Sequence, residues 1–413
     1  MNQNHRNPLN IIVIVAALGY FVDIYDLILF SIVRIPSLRA MGIGEAELKS
    51  SGIFLINMQM IGMLAGGIVW GILGDKRGRL ATLFGTILVY SLANIANGFV
   101  DHSLSMYAAL RLIAGFGLAG ELGIGITLVA EVMNKDTRAY ATSIVAGVGI
   151  CGAVLAYLVS EWGWRQAYWT GGGLGLCLLA LRIYVSESGM FEKVKESSVV
   201  RGNFLSLFSS FGQFMKYLRC ILIGIPVWFV IGILITFSKE FGEALGVHGV
   251  IVPGRAIMFH YTGAAMGSLI TGFLSQKLKS RRKAIGLAIL CVALMSYLYC
   301  SAFGVSTTLF YVIMFFLGIA QGYWSMFITV ASEQFGTNIR STVTTTVPNF
   351  VRGAVILMTV WWSWMSKETW CNTHDGNGVL NSAMIVGAVV VLLALLSVWK
   401  MAETHAKDLD YTE

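Results

Sequence analysis

The chain has 413 residues, of which 56% are hydrophobic and only 12% are charged. A soluble domain carries about 25% charged residues, so this composition excludes a water-soluble globular enzyme and indicates a membrane protein. The net charge of +7 does not indicate a nucleic-acid partner, because most Lys and Arg residues fall in segments predicted to face the cytoplasm.

Long apolar runs follow one another along the chain, and we interpret twelve of them as membrane-spanning helices. Roughly 20 helical residues cover the bilayer core of about 30 Å. The first run is interpreted as a retained helix and not a signal peptide, because no small-residue cleavage site follows it. The predicted helices cover residues 10–33, 51–73, 80–100, 104–133, 141–159, 166–186, 217–237, 252–274, 284–303, 308–334, 342–365 and 380–401.

A short charged segment joins the second and third runs. Residues 71–79 read Gly-Ile-Leu-Gly-Asp-Lys-Arg-Gly-Arg, and the charged side chains cannot lie in hydrocarbon. The segment is therefore predicted to be a tight turn, and its three cations place it on the cytoplasmic side. A degraded copy, residues 272–282, follows 201 positions later between two further apolar runs.

One turn repeated at half the chain length predicts two similar halves in parallel orientation. The first copy resembles the signature turn of the major facilitator superfamily. The resemblance implies an all-α membrane fold of two pseudo-symmetric six-helix bundles with both termini in the cytoplasm. We expect the bundles to comprise residues 1–186 and 217–413, joined by a cytoplasmic linker at 187–216.

Charged residues recur at the cytoplasmic ends of helices in both halves. A Glu and an Arg seven positions apart end the fourth helix, and the same pair ends the tenth, 202 positions later. Lying beside the charged turns, they predict a salt-bridge network that latches the halves in one orientation. The alternative is a set of solvated pairs that contribute little. The predicted latch comprises Asp75, Arg79, Glu131, Arg138, Glu333 and Arg340.

Ionisable residues inside the first half are few. Asp23 and Asp26 share a face of helix 1, and Arg111 and Glu121 lie on helix 4. Helical rise places Asp26 and Arg111 at similar depth, so we expect them to form an ion pair, with Asp26 a permanent anion. Since an acid buried without a cation favours its protonated form, Glu121 and Asp23 are the predicted proton carriers. The alternative is that these acids only hold helices together.

The second half carries one deep cation, Arg352, one turn after Pro348 and Asn349. An arginine facing a cavity is a natural ligand for a carboxylate or phosphate, because its fork matches two oxygens. The alternative is an arginine paired with an acid of the other half, such as Asp23. His260 is either a gating or substrate-binding group or a packed core residue. The remaining candidates for substrate binding are Asn349, Tyr20, Tyr25, Gln321, Tyr323 and Trp324.

Two segments resemble one branch of the superfamily more closely. Residues 19–27 (Gly-Tyr-Phe-Val-Asp-Ile-Tyr-Asp-Leu) and the Arg111…Gly-Glu121-Leu-Gly pattern are similar to those of the metabolite:proton symporters. The resemblance implies uptake of a small anionic or zwitterionic metabolite, such as a carboxylate, with protons and by alternating access. It assigns the coupling roles to Asp23, Asp26, Arg111 and Glu121.

The sequence is also compatible with other functions. A proton-driven antiporter that exports a metabolite, siderophore or drug is the main alternative, although residues 146–153 lack the Gly-Pro motif of drug exporters. A ligand sensor and a membrane-embedded enzyme are disfavoured. No Cys or His cluster has metal-ligand spacing, so neither metal nor cofactor is expected. We expect a monomer in a bacterial cytoplasmic (inner) membrane, with a small substrate, protons and lipid as its partners.

Overall fold

The computed structural model describes residues 11–133, 135–181, 201–372 and 377–405, and these are almost entirely helical. The helices of the first half are α1 (Ile11–Ala40), α2 (Leu48–Arg77), α3 (Arg79–Asn97), α4 (Leu104–Leu118), α5 (Glu121–Val132), α6 (Lys135–Ile150), α7 (Gly152–Ser160) and α8 (Trp164–Leu181). Those of the second half are α9 (Phe211–Phe229), α10 (Ser238–Ala244), α11 (Pro253–Leu278), α12 (Arg281–Cys300), α13 (Thr307–Gln321), α14 (Trp324–Gln334), α15 (Arg340–Met365) and α16 (Gly378–Trp399).

Within the described ranges, ten helical segments are long and apolar enough to cross a membrane, and a shorter apolar helix covers Ile144–Ser160. Two of the ten are composites of two α-helices, because α4 continues into α5 and α13 into α14. The predicted all-α membrane fold is therefore confirmed. The count of twelve spans and the orientation of the termini stay predictions. The end of the predicted sixth helix and the start of the linker fall at 182–200, outside the described residues.

The charged turn is as tight as predicted. Only Gly78 separates α2 from α3, and its φ of 110° lies where a side chain would strain the backbone. In the second copy Lys279, with φ 48°, takes the corresponding turn position after α11. The Oγ of Ser280 then accepts a hydrogen bond from the backbone N–H of Lys283 and caps α12.

Glycines bring α2 and α4 into close contact. A Cβ at Gly62 would lie 2.0 Å from the carbonyl oxygen of Leu112, and one at Gly66 would lie 2.2 Å from that of Phe116. Only glycine permits this approach. Close packing of this kind stabilises helix association in lipid, where the hydrophobic effect between helices is absent.

The same packing recurs 201 positions later. Cβ atoms at Gly263 and Gly267 of α11 would lie 2.0 and 2.2 Å from the carbonyl oxygens of Phe315 and Ile319 of α13. The internal repeat read from the turns is thus present in the helix contacts of both halves.

The composite spans break at equivalent places. The first break lies at Ala119 and Gly120, and the second at Gly322 and Tyr323. The side chain of Asn349 in α15 donates a 2.7 Å hydrogen bond to the Ala119 carbonyl. A carbonyl exposed by the first break is therefore satisfied by the other half, as the bilayer interior requires.

The two halves meet along a helical interface. Helix α2 packs against α15, and α6 and α7 pack against α11. Helices α5 and α14 cross the same interface, toward α15 and α6 respectively. The helices that follow the two breaks, α5 and α14, therefore lie where the halves meet.

Candidate functional site

A small cavity lies between the two halves. It offers about 20 Å³ to the centre of a water molecule, enough for about one water. The first half contributes Tyr20 and Ile24 of α1 and Ile150 of α6, and the second half contributes most of the polar and aromatic lining. The lining residues of the second half are Val227, Trp228, Ile231, Tyr261, Ala264, Gln321, Trp324 and Arg352.

Arg352 is the cation of this cavity, and its side chain is 1% exposed. Its Nη1 donates a 3.1 Å hydrogen bond to Oδ1 of Asn349, one turn earlier on α15. Its Nε and Nη2 have no hydrogen-bond partner among the described residues. Guanidinium donors that line a cavity without a partner are able to hold a carboxylate through paired hydrogen bonds.

Two indole rings flank the guanidinium. The centroids of Trp228 and Trp324 lie 5.7 and 5.8 Å from its Cζ, within the range of a cation–π attraction. Trp324 is itself oriented from the other half, because its Nε1 donates a 3.0 Å hydrogen bond to the hydroxyl of Tyr20. The site is therefore a cation enclosed by aromatic faces that both halves position.

Asp23 is the acid nearest to this cation. Its Oδ2 lies 3.9 Å from Nη2 of Arg352, and both side chains are buried. Neither carboxylate oxygen has a hydrogen-bond partner among the described residues. Glu121, the first residue of α5, is buried close enough to act electrostatically on Asp23. The pairing that we considered as the alternative for Arg352 is thus present, and a second acid, Glu121, acts electrostatically on Asp23.

Asp26 and Arg111 lie within the first half, away from the cavity lining. The predicted direct ion pair between them is not formed in the described structure. Arg111 instead donates hydrogen bonds to Asn94 at 2.6 Å and Asn97 at 3.2 Å, both on α3. Arg111 acts on Asp26 electrostatically, without an ion-pair contact. Gly171 of α8 leaves room for Asp26, since a Cβ there would lie 2.0 Å from Oδ1.

Two tyrosines among the predicted binding residues point elsewhere. The hydroxyl of Tyr25 donates a 2.8 Å hydrogen bond to the Ala167 carbonyl of α8. The hydroxyl of Tyr323 donates a 3.0 Å hydrogen bond to the Ile223 carbonyl of α9. Neither residue lines the cavity, and each ties helices together within its own half.

Gln321 lines the cavity, and His260 lies directly behind it. Nε2 of His260 is 2.9 Å from Oε1 of Gln321, and Nδ1 is 3.2 Å from the Met314 carbonyl. The imidazole is fully buried. The predicted binding residues Tyr20, Gln321, Trp324, Asn349 and Arg352 are thus brought together, with His260 in contact with one of them.

Sequence reasoning missed Trp228 and Tyr261 of the cavity lining. A usable signal was present for Trp228, because the repeat offset of 202 makes its position in the second half equivalent to that of Asp26 in helix 1. It also precedes a π-helical segment, Val230–Ile235, which lies two residues beyond Trp228 and includes the cavity-lining Ile231. Such segments are frequent at functional sites. No comparable signal marks Tyr261.

A second cluster of charges joins the halves at the predicted cytoplasmic end. Arg79 pairs with Asp75 at 3.3 Å and with Glu131 at 3.0 Å, and Glu131 also pairs with Arg340 at 3.4 Å. Asp75 accepts hydrogen bonds from the backbone N–H of Thr342 at 2.7 Å and from its hydroxyl at 2.6 Å. The signature turn of the first half therefore caps α15 of the second half.

The second copy of the cluster is arranged differently. Glu333 pairs with Arg281 of its own half at 3.3 Å and accepts a 2.7 Å hydrogen bond from Thr404. Arg340, which follows Glu333 in sequence, reaches across to Glu131. The side chain of Arg138 lies outside the described residues.

The opposite end of the interface also carries a contact between the halves. Nη2 of Arg34 on α1 lies 3.4 Å from Oε1 of Glu240 on α10. The Arg34 guanidinium also lies 5.0 Å from the ring centroid of Phe237. Contacts on both sides of the cavity thus hold the halves together in this conformation.

Comparison with known families decides the assignment. The family model for the Major Facilitator Superfamily matches residues 16–359. The chain belongs to this superfamily. Its members are transporters and not enzymes, and the structure provides the buried interface cavity that a carrier needs. The fold predicted from the repeated turn is therefore confirmed.

Individual proteins extend the comparison. A "Probable 4-methylmuconolactone transporter" of Cupriavidus pinatubonensis is 27% identical over 335 residues, covering 78% of this chain and 76% of that protein. A gentisate transporter of Corynebacterium glutamicum is 24% identical, covering 79% and 74%. The structure of a proton:xylose symporter aligns with a TM-score of 0.77 at 17% identity, covering 97% of each chain, and this likeness supports the fold alone.

Proposed function

We propose that this superfamily member imports a small planar organic carboxylate together with protons. The observation that supports this most directly is the Arg352 guanidinium, with free N–H donors in a cavity between two indole rings. A carboxylate accepts paired hydrogen bonds from such a fork, and a flat ring attached to it fills the space between aromatic faces. The substrate is neither a cation nor an extended apolar compound.

The names of the relatives agree with this chemistry. Gentisate is an aromatic ring that carries a carboxylate, and one relative is named as its transporter. The methylmuconolactone named for another relative is also a compact ring acid. The cavity is too small for such a compound as it stands, so the substrate enters a more open conformation and the halves close around it.

Asp23 provides the coupling between proton and substrate. As a carboxylate it neutralises Arg352 from 3.9 Å and therefore competes with the carboxylate of the substrate. Protonation of Asp23 removes that competition, and in a low-dielectric site the change in Coulomb energy is large. Proton binding and anion binding then favour each other, which is the thermodynamic requirement of symport. An antiporter requires the opposite sign.

Glu121 and Asp26 extend the proton route. Glu121 acts electrostatically on Asp23, and Asp26 is linked to Asp23 in the same way. A proton released from Asp23 thus has further acidic positions in the first half, with Arg111 setting the charge balance around Asp26.

The ionic contacts at the two ends of the interface between the halves control access to the cavity. The Asp75–Arg79–Glu131 group holds α15 through Thr342 and Arg340 at the predicted cytoplasmic end. Opening toward that side requires these contacts to break while those at the opposite end persist. We assign the moving bodies to residues 1–186 and 217–413 with 187–216 as linker, acting as a monomer in a bacterial cytoplasmic membrane.

The experiment uses purified protein in liposomes with radiolabelled gentisate or benzoate as the probe. An inwardly directed proton gradient is expected to drive accumulation, and collapse of the gradient is expected to abolish it. Accumulation driven by the opposite gradient would indicate the antiporter instead. The substrate assignment would be overturned if no benzene carboxylate quenched the fluorescence of the cavity tryptophans and amines or sugars bound instead.

A further inference from the structure

His260 makes two contacts that a neutral imidazole cannot satisfy at the same time. Its Nδ1 faces the Met314 carbonyl at 3.2 Å, and its Nε2 faces the amide oxygen of Gln321 at 2.9 Å. Both partners are acceptors, whereas a neutral imidazole carries one N–H and one lone pair. One of the two contacts therefore requires a second proton on the ring or a rotated amide.

The surroundings favour the rotated amide. The ring is 0% exposed, and among the described residues its polar contacts are with Met314 and Gln321, neither of which is acidic. An imidazolium buried without a counter-ion is costly. The oxygen and nitrogen of a glutamine amide are interchangeable in position, and the hydrogen-bond network decides between them.

The position of the carbonyl acceptor is rigid. Met314 belongs to α13, which approaches α11 so closely that a Cβ at Gly318 would lie 2.0 Å from the carbonyl oxygen of His260. The Met314 carbonyl thus holds the proton on Nδ1 of His260. The lone pair of Nε2 then accepts from the amide nitrogen of Gln321.

This arrangement determines which amide atom reaches the cavity. Gln321 is the last residue of α13, next to the break at Gly322, and its side chain lines the cavity although it is 4% exposed. Its second terminal amide atom has no hydrogen-bond partner among the described residues. With the nitrogen held by His260, that atom is the carbonyl oxygen.

We infer that Gln321 is a specificity-determining residue that offers a hydrogen-bond acceptor to the substrate, with His260 as its positioning residue. The inference rests on the proposed function, in which Arg352 holds the carboxylate. It narrows the substrate class to planar carboxylates that carry a hydrogen-bond donor, such as a ring hydroxyl or a ring N–H, away from the carboxylate.

The test compares ligands that differ in one donor. Benzoate, 3-hydroxybenzoate and 3-methoxybenzoate, together with the two 4-substituted isomers, are titrated against the purified protein in nanodiscs by tryptophan quenching. The better hydroxy compound is expected to bind about tenfold more tightly than its methoxy counterpart, the effect of one hydrogen bond of ordinary strength. In Gln321→Met this ratio is expected to fall to about one.

His260 variants separate positioning from packing. His260→Leu is expected to reduce the hydroxy-to-methoxy ratio, because the amide of Gln321 is then free to rotate. His260→Gln restores an acceptor near the position of Nε2 and is expected to restore the ratio. A purely structural role would instead lower the affinity for all ligands equally and leave the ratio unchanged.

Three results would overturn the inference. The first is a ratio unaffected by Gln321→Met, with benzoate binding intact, which leaves the proposed function standing. The second is a wild-type preference for the methoxy compounds, which would mean that the amide nitrogen faces the cavity and that His260 is doubly protonated. The third is failure of every benzene carboxylate to bind, which would remove the proposed function and this inference together.

Discussion

Nη2 of Arg352 lies 3.9 Å from Oδ2 of Asp23, and this buried pair joins α15 to α1 across the interface of the two halves. The separation is longer than a hydrogen bond, and Nη2 and both carboxylate oxygens lack hydrogen-bond partners among the described residues. The pair is thus held by charge and not by a tight fork. A substrate carboxylate that forms two hydrogen bonds with the guanidinium replaces a weak partner with a stronger one.

Asp23→Asn is expected to remove the effect of protons on binding. The neutral amide resembles the protonated acid, so gentisate or benzoate should bind tightly without further gain on acidification. Exchange of internal and external substrate should continue, whereas accumulation driven by the proton gradient should be lost. Quenching titrations across pH and paired exchange and uptake assays in liposomes measure these effects.

Glu45→Gln serves as the control for this variant. Glu45 forms an exposed pair with Arg39, and such pairs contribute little. Its pH dependence of binding and its coupled uptake should match those of the wild type. Coupled accumulation by Asp23→Asn at the wild-type level would show that another acid carries the proton.

Arg352→Met is expected to abolish carboxylate binding and to destabilise the fold. Removing one partner of a buried pair leaves the other charge unpaired, at a cost of about 3–5 kcal/mol. The double variant Asp23→Asn/Arg352→Met should recover most of the stability but none of the binding. Melting temperatures and quenching titrations of the four proteins form a double-mutant cycle. Retained carboxylate affinity in the stable double variant would rule out the ligand role of Arg352.

Asp75→Ala is expected to change switching and not binding. Asp75 accepts hydrogen bonds from Thr342 at the start of α15, so its loss weakens closure at the predicted cytoplasmic end. Spin labels across that end should report a larger open population, and transport should slow while gentisate affinity changes less than threefold. A loss of about 1.4 kcal/mol from the closed state shifts a two-state equilibrium about tenfold.

Gln276→Ala is the matched control, because Gln276 occupies the equivalent position in the second copy of the turn. Its Oε1 contacts His405 of the same half at 3.3 Å. This variant should leave the spin-label distances unchanged. Equal shifts in both variants would mean that loss of a polar group at a turn, and not the contact across the interface, alters the equilibrium.

Gly66→Ala is expected to destabilise the first half by about 1–3 kcal/mol, the usual cost of overpacking. The added Cβ would lie 2.2 Å from the Phe116 carbonyl oxygen, which is backbone and cannot rotate away. Gly125→Ala has no atom within 4 Å of the new Cβ and should be neutral or stabilising, since alanine favours a helix. Thermal unfolding in one detergent compares them, and equal melting temperatures would contradict the packing argument.

The segment after α16 is expected to loosen in acid through Glu403. Burial by itself would raise the pKa of Glu403, but hydrogen bonds from Ser280, Arg281, His405 and Thr404 lower it below the ordinary value. Because the folded pKa is depressed, the contribution is fully present above the ordinary pKa and is lost as pH falls through the folded value.

Hydrogen exchange at 401–405 measures this effect. Exchange should accelerate on acidification in the wild type, after correction for the intrinsic rate. It should be fast and without this acid dependence in Glu403→Gln. Unchanged protection in that variant would mean that the carboxylate does not hold the segment against α12.

Much of the fold followed from local sequence. Spans are set by the length of apolar runs, because the bilayer has a set thickness and every backbone group in it must be paired within its helix. The turn at Gly78 and its repeat near Lys279 established the duplication, and the glycine contacts of α2 and α11 repeat at the same offset. The sequence also identified Arg352, Asp23 and Glu121 as candidate functional residues, because burying an ionisable group at this depth in the membrane costs free energy and usually indicates a function.

Only the tertiary structure decided which of these groups meet. Helical rise gives the depth of a residue in the membrane, so the sequence predicted similar depths for Asp26 and Arg111. In the structure, however, Arg111 bonds to asparagines of α3, and Asp23 faces Arg352. The direction of a side chain around its helix axis depends on how that helix is rotated against distant neighbours. That rotation is set by contacts such as those of the glycines with carbonyl groups on other helices, which one sequence does not reveal.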